Sequence, residues 1–177
     1  WDHYAWQTHI EHMRPEAVRA SLARGVDLMT TIIGAPPTCS AAPGWRCTET
    51  ALGEKEHFHF TFNSDCRGQA IFRPVVAGVL LNQPQIPVTL PTFDEVIGHS
   101  GVTLETYNDH ILSRIRPERL NVLTIHAEVE GIVCRDLFDR FVQKARSLGH
   151  EFMPLGCLLP TASAILPGRI AKGGVPG

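Results

Sequence analysis

Apolar and polar residues alternate strictly along 123–131. Leu123, Ile125, Ala127 and Val129 interleave with Thr124, His126, Glu128 and Glu130, and Gly131 closes the run. A period of two sends the two sets to opposite faces of a strand, so the pattern predicts one packing face and one face carrying an imidazole and two carboxylates. Two readings of that polar face stand: a proton-transfer or metal site, and the solvated side of an edge strand.

A second period governs Pro15 to Ile33, where Val18, Leu22, Val26, Met29 and Ile33 recur at three- and four-residue steps. Pro15 suits the first turn of a helix and Gly34 its stop, so a helix is predicted whose apolar stripe needs a sheet to cover. Shorter helices are predicted over 48–55 and 104–115, the second capped by Thr103 and stopped by Pro117. Thr92-Phe93-Asp94-Glu95 has the spacing of a capping box. Leu137, Phe138, Phe141, Val142, Ala145 and Leu148 form the clearest amphipathic helix, closed by Gly149. Strands are predicted at 38–41, 58–62, 85–90 and 151–155, and Pro43-Gly44-Trp45-Arg46 reads as a turn. The stretch 71–81 reads as irregular or a short helix because it holds Arg73, Pro74 and Gly78. Positions 160–177, with four glycines and three prolines, read as a loosely packed extension to a domain over 1–159. Strands alternating with helices predict an α/β fold with a parallel sheet, open or closed into a barrel.

Composition narrows the function. Sixteen basic residues are scattered among eighteen acidic ones, for a formal net charge of -2, which leaves no electrostatic footprint for nucleic acid. The five cysteines are odd in number and never form C-x-x-C, so reduced thiols are expected rather than a disulfide framework or a zinc knuckle. No run is long and apolar enough to span a bilayer. The chain opens without Met on a dense cluster, Trp1-Asp2-His3-Tyr4-Ala5-Trp6, which predicts that the natural chain continues upstream.

Four polar clusters, Gly44 to Arg46, Asn63 to Gly68, Thr92 to Glu95 and His126 to Glu130, each fall at the carboxyl end of a predicted strand. Parallel α/β folds assemble their sites there, so the four loops are expected to converge on a cleft. Of the nine histidines, His126 and His3 are the candidates; His3 sits in an aromatic cluster that would exclude water from a metal. His9 and His12 read as a solvated face. A self-contained zinc site on His3, His9 and His12 is a separate reading, as is a metal pair on His57 and His59.

These runs carry a resemblance. Trp1-Asp2-His3, Cys39 to Arg46, Asn63-Ser64-Asp65-Cys66-Arg67-Gly68, Gln85 to Gly98 and Thr124 to Gly131 resemble the 4-deoxy-4-formamido-L-arabinose-phosphoundecaprenol deformylases of the polysaccharide deacetylase superfamily. The resemblance implies the C-terminal part of a distorted (β/α) barrel and a divalent metal (zinc, cobalt or manganese) held by one Asp and two His. His3 matches the later His of an H-x-x-x-H motif whose earlier member would precede Trp1, and the acidic motif would lie farther upstream. On that basis the 177-residue chain alone is expected to bind metal weakly and to have little activity.

His126 matches the late histidine motif, the general acid for the departing amine, with Glu128 on the same face to hold the charged imidazolium. Gly44-Trp45-Arg46 stands where R-x-P-Y is usual, so Trp45 and Arg46 are candidate substrate contacts. So are Asp65 and Arg67, which read equally as an internal ion pair tying down a loop. The implied substrate is a lipid-linked amino sugar of lipid A modification and cationic antimicrobial peptide resistance. It would be met at the inner face of the cytoplasmic membrane by a peripheral protein, with 71–81 as a candidate contact. The competing reading is a carbohydrate or lipid-phosphate binding module without catalysis.

Overall fold

The computed structural model describes residues 2–170; Trp1 of the N-terminal cluster and positions 171–177 of the extension lie outside them. The chain is α/β and forms two compact units, Trp1–Pro87 with Leu158–Gly177, and Val88–Cys157.

In the first unit, helix α1 (His3–His9) is capped by Asp2, whose carboxylate accepts from the Ala5 N–H at 2.8 Å. Helix α2 (Pro15–Ile33) follows, with Pro15 in its first turn and Gly34 in the left-handed conformation at φ 78° ending it. Both signals act as the sequence predicts. The stripe of α2 is only half used. Val18 is fully buried among Trp6, Ile10, Ala42 and Ala51, whereas Met29, Ile32 and Ile33 are exposed. Strand β1 (Cys39–Ser40) leads through a 3-10 turn at Pro43–Trp45 to helix α3 (Glu49–Lys55), whose cap Thr48 accepts from Ala51 N–H. Strand β2 (Phe62–Asn63) runs parallel to β1, pairing Cys39 with Phe62 and Ser40 with Asn63. The strand predicted at 58–62 is therefore shorter and later, and His57 lies against the Arg19 guanidinium at 2.8 Å.

The stretch 71–81 is a correction: it is a hairpin of β3 (Arg73–Val76) and β4 (Val79–Leu80). Its two turn residues, Ala77 at φ 48° and Gly78 at φ 83°, both adopt the left-handed conformation that a tight primed turn demands. The positive φ of Ala77 leaves no mark in the sequence. The extension also contributes structure: β5 (Pro167–Gly168) pairs parallel with Arg73 and Pro74. Gly168 is required there, because a Cβ would stand 2.7 Å from the Phe72 ring.

In the second unit, helices α4 (Phe93–Val96), α5 (Tyr107–Leu112) and α6 (Arg135–Ser147) enclose a core of Leu90, Val96, Val102, Tyr107, Ile111, Leu112, Leu137, Phe141 and Ala145. Three strand expectations fail. The run 85–90 forms no ladder, because Pro84, Pro87 and Pro91 remove donors; isolated bridges join Gln85 to Phe72 and Asn63 in the first unit, and Thr89 and Leu90 N–H donate to Val122 O in the second. The run 151–155 is irregular and enters a 3-10 turn at Leu155–Leu158, with Phe152 edge-on to Phe141. The run 123–131 is not a strand either. Residues 123–126 have no regular structure, and Val129–Val133 is a single π-helical turn leading into α6. Its cause is local: the Glu130 carboxylate accepts from the His126 N–H at 2.7 Å, taking the donor that a strand neighbour would have needed. Single π-turns of this kind concentrate at functional sites.

Candidate functional site

The two loops that leave the β1–β2 pair lie side by side, because parallel strands deliver their carboxyl ends to the same edge. Trp45 sits at the tip of the first, after Gly44 at φ 57° and itself at φ 53°, a conformation rare for a residue with a Cβ. Arg67 comes from the second, and its guanidinium lies 4.4 Å from the Trp45 ring centre, within cation–π range. Arg46 is exposed, and its carbonyl accepts the indole N–H of buried Trp6 at 2.8 Å, which fixes the loop from below. Two of the four predicted clusters are thus brought together.

Asp65 is fully buried, with both carboxylate oxygens engaged: Oδ1 with Lys55 Nζ at 2.5 Å, Oδ2 with the Gln85 amide at 2.9 Å. Its ion-pair partner is Lys55. Burial and the neighbouring Asp65 charge push the adjacent Cys66 thiol up to about 12, and burial raises Cys47 well above the ordinary thiol range. Alkylation of the native protein at pH 8 is therefore expected to mark the exposed Cys39 and Cys157 and to spare Cys47 and Cys66 until denaturant is added. Peptide mass spectrometry reads this; Cys66 reacting as fast as Cys39 would mean that the 63–68 loop opens in solution.

In the second unit the other two clusters meet. His126 Nδ1 is 4.0 Å from Asp94 Oδ1, the separation of a weak ion pair when the ring is protonated. Asp94 stands in the first turn of α4, whose start is fixed by Glu95 accepting from the Thr92 N–H at 2.9 Å. Glu130 holds the backbone of His126, and its Oε1 is buried without a hydrogen-bond partner. The Tyr107 hydroxyl is likewise buried and unpartnered, and burial, with Glu130 and Asp94 adding to it, keeps its proton on. Glu128 is exposed at the start of the π-turn. The carboxylates the structure places around His126 are those of Asp94 and Glu130. The sequence offered Asp94 as a helix-start residue within one of the four polar clusters; its place beside His126 depends on Thr89 and Leu90 bonding to Val122.

His3 is exposed in the first turn of α1, and His9 and His12 are exposed as well. Among the described residues no three His, Cys, Asp or Glu side chains converge as metal donors, so neither the His3, His9, His12 zinc reading nor a complete metal centre is assembled by them.

An imidazole beside a carboxylate is suited to proton transfer, and an arginine stacked on a tryptophan is suited to contact with an anion. No protein-family profile matches the chain. Among curated proteins it is 44% identical over 155 residues to the probable 4-deoxy-4-formamido-L-arabinose-phosphoundecaprenol deformylase ArnD of Shewanella sediminis (strain HAW-EB3), covering 88% of this chain and 50% of that protein. It is 39% identical over 169 residues to the protein of the same name from Wigglesworthia glossinidia brevipalpis, covering 94% of this chain and 59% of that one. The chain is homologous to these deformylases over most of its own length, and it spans about half the length of the curated relatives it matches.

Proposed function

We propose that the protein is an amide hydrolase that removes the formyl group from a lipid-linked 4-formamido-arabinose, on a fold that is part of a distorted (β/α) barrel. The observation that carries the reading is the joining of homology to named deformylases with an imidazole, His126, that faces the Asp94 carboxylate at 4.0 Å. Water adds to the formyl carbon, the carbon–nitrogen bond breaks, and formate and a sugar amine leave. The amine is a poor leaving group unless protonated, and His126, carrying a proton while Asp94 faces its Nδ1, supplies it. Glu130 fixes the depth of the imidazole through its backbone N–H, and Glu128 remains a candidate second carboxylate.

Trp45, Arg46 and Arg67 are the proposed contacts to sugar and phosphate, and Asp65 acts by holding their loop. The divalent metal implied by the resemblance (zinc, cobalt or manganese) belongs to this reading with His3 as the ligand offered here, and the chemistry it supplies when bound is activation of the attacking water.

A role in lipid A modification, at the inner face of the cytoplasmic membrane, follows from such a substrate. No helix among the described residues is long and apolar enough to cross a membrane. The contact proposed is the hairpin tip, where Val79 is 62% and Leu80 40% exposed. Val79→Glu and Leu80→Glu are expected to weaken pelleting with anionic liposomes about tenfold each while leaving the thermal transition unchanged. Loss of folding instead would assign both residues to packing. The function itself is tested by formate release from the lipid-linked formamido sugar by the complete protein.

A further inference from the structure

Lys55 heads the fully buried side chains of the described residues, with 1% of its surface exposed. An ammonium so placed needs partners, and two of its three donors have them: Asp65 Oδ1 at 2.5 Å and Ser40 Oγ at 2.7 Å. Ser40 passes the network to Asn63 Oδ1 at 2.7 Å, the Asn63 amide donates to Gln83 Oε1 at 2.8 Å, and the Gln83 amide returns to the Lys55 and Phe58 carbonyls. Gln85 closes the other side, donating to Asp65 Oδ2 and accepting from the Asp65 N–H, each at 2.9 Å. Four chain segments, α3, β1, β2 and 83–85, are thereby locked in register.

A buried ion pair adds little net stability over an apolar filling of the same shape; its best-attested use is to fix one arrangement over others. The arrangement at stake here is specific. Ser40 precedes Trp45 by five residues and Asp65 precedes Arg67 by two, so the network anchors both loops that meet in the stacked pair. The loop tip it supports is strained, with two successive left-handed residues at Gly44 and Trp45.

We infer that Lys55 is a positioning residue: through Asp65 and Ser40 it sets the two loops so that the Arg67 guanidinium stacks on Trp45 and together they receive the sugar phosphate of the substrate. This rests on the proposed role of Trp45 and Arg67 as substrate contacts.

The test uses the complete protein labelled with 5-fluorotryptophan, the Trp45 resonance being assigned by its loss in Trp45→Phe. Arg67→Lys removes the planar cation and moves the Trp45 resonance. The double substitution Lys55→Met with Asp65→Asn, which keeps volume and removes both charges, is expected to move the same resonance in the same direction while the far-ultraviolet circular dichroism stays that of the wild type. Ser40→Ala, a milder change, gives a smaller shift of the same sign. In kinetics with the lipid-linked formamido sugar the double variant raises KM about tenfold and changes kcat by less than about twofold. A Trp45 resonance unmoved in both folded variants overturns the inference, as does a shift that comes only with loss of the wild-type circular dichroism. Absence of formate release from the wild-type protein would defeat the proposed function, and the fluorine spectra would still decide the role of Lys55.

Discussion

Lys55→Met is expected to destabilise the first unit by about 3–5 kcal/mol, the cost of leaving one partner of a buried ion pair alone. The Asp65 carboxylate would keep the Gln85 amide but lose the ammonium 2.5 Å away, and it has no access to water with which to replace it. Ser40 Oγ would lose its donor as well. The measurement is the denaturation midpoint followed by far-ultraviolet circular dichroism. Adding Asp65→Asn should restore most of the loss, because the stranded charge is then gone, so the double-mutant cycle should show strong coupling. Additive effects of the two substitutions would mean that the pair is not coupled as the 2.5 Å contact requires.

His126→Ala in the complete protein is expected to lower formate release about 10²- to 10⁴-fold, the usual contribution of a positioned general acid. Asp94→Asn should give a smaller loss, on the order of tenfold, since Asp94 faces the ring at 4.0 Å and is itself largely exposed. The leaving group gives the sharper diagnostic. A substrate whose amine departs easily needs less protonation, so the penalty of His126→Ala should shrink as the amine becomes less basic. A penalty that stays constant across such a series would remove His126 from the proton-transfer step and leave it a binding residue.

Helices were the legible part of the chain because their signals are local. Pro15 and Gly34 bound α2, Thr48 caps α3, and Glu95 returns to the Thr92 N–H, each within a turn of where the pattern puts it. Strands were less legible because β1, β2, β4 and β5 are two residues long and exist only through their partners. The alternation at 123–131 misled for a physical reason: Glu130, counted as one of the polar face of a strand, folds back on the His126 N–H and starts a π-turn. The candidate residues Trp45 and Arg67 were chosen from motifs, but their stacking depends on parallel pairing of β1 with β2. The pattern of 48–55 predicts a short helix and marks no role for Lys55 at its end. A signal was present, since it stands four residues after Ala51 on the same helical face, and Ala51 is fully buried.

Formate release is the measurement that meets the central claim most directly. The complete protein, incubated with undecaprenyl-phosphate-linked 4-deoxy-4-formamido-L-arabinose, should release one formate for each amino sugar seen by mass spectrometry, and His126→Ala should bind the same lipid while releasing little. Binding of the lipid by the wild-type protein with no formate produced would contradict the account and leave a lipid-phosphate binding module in its place.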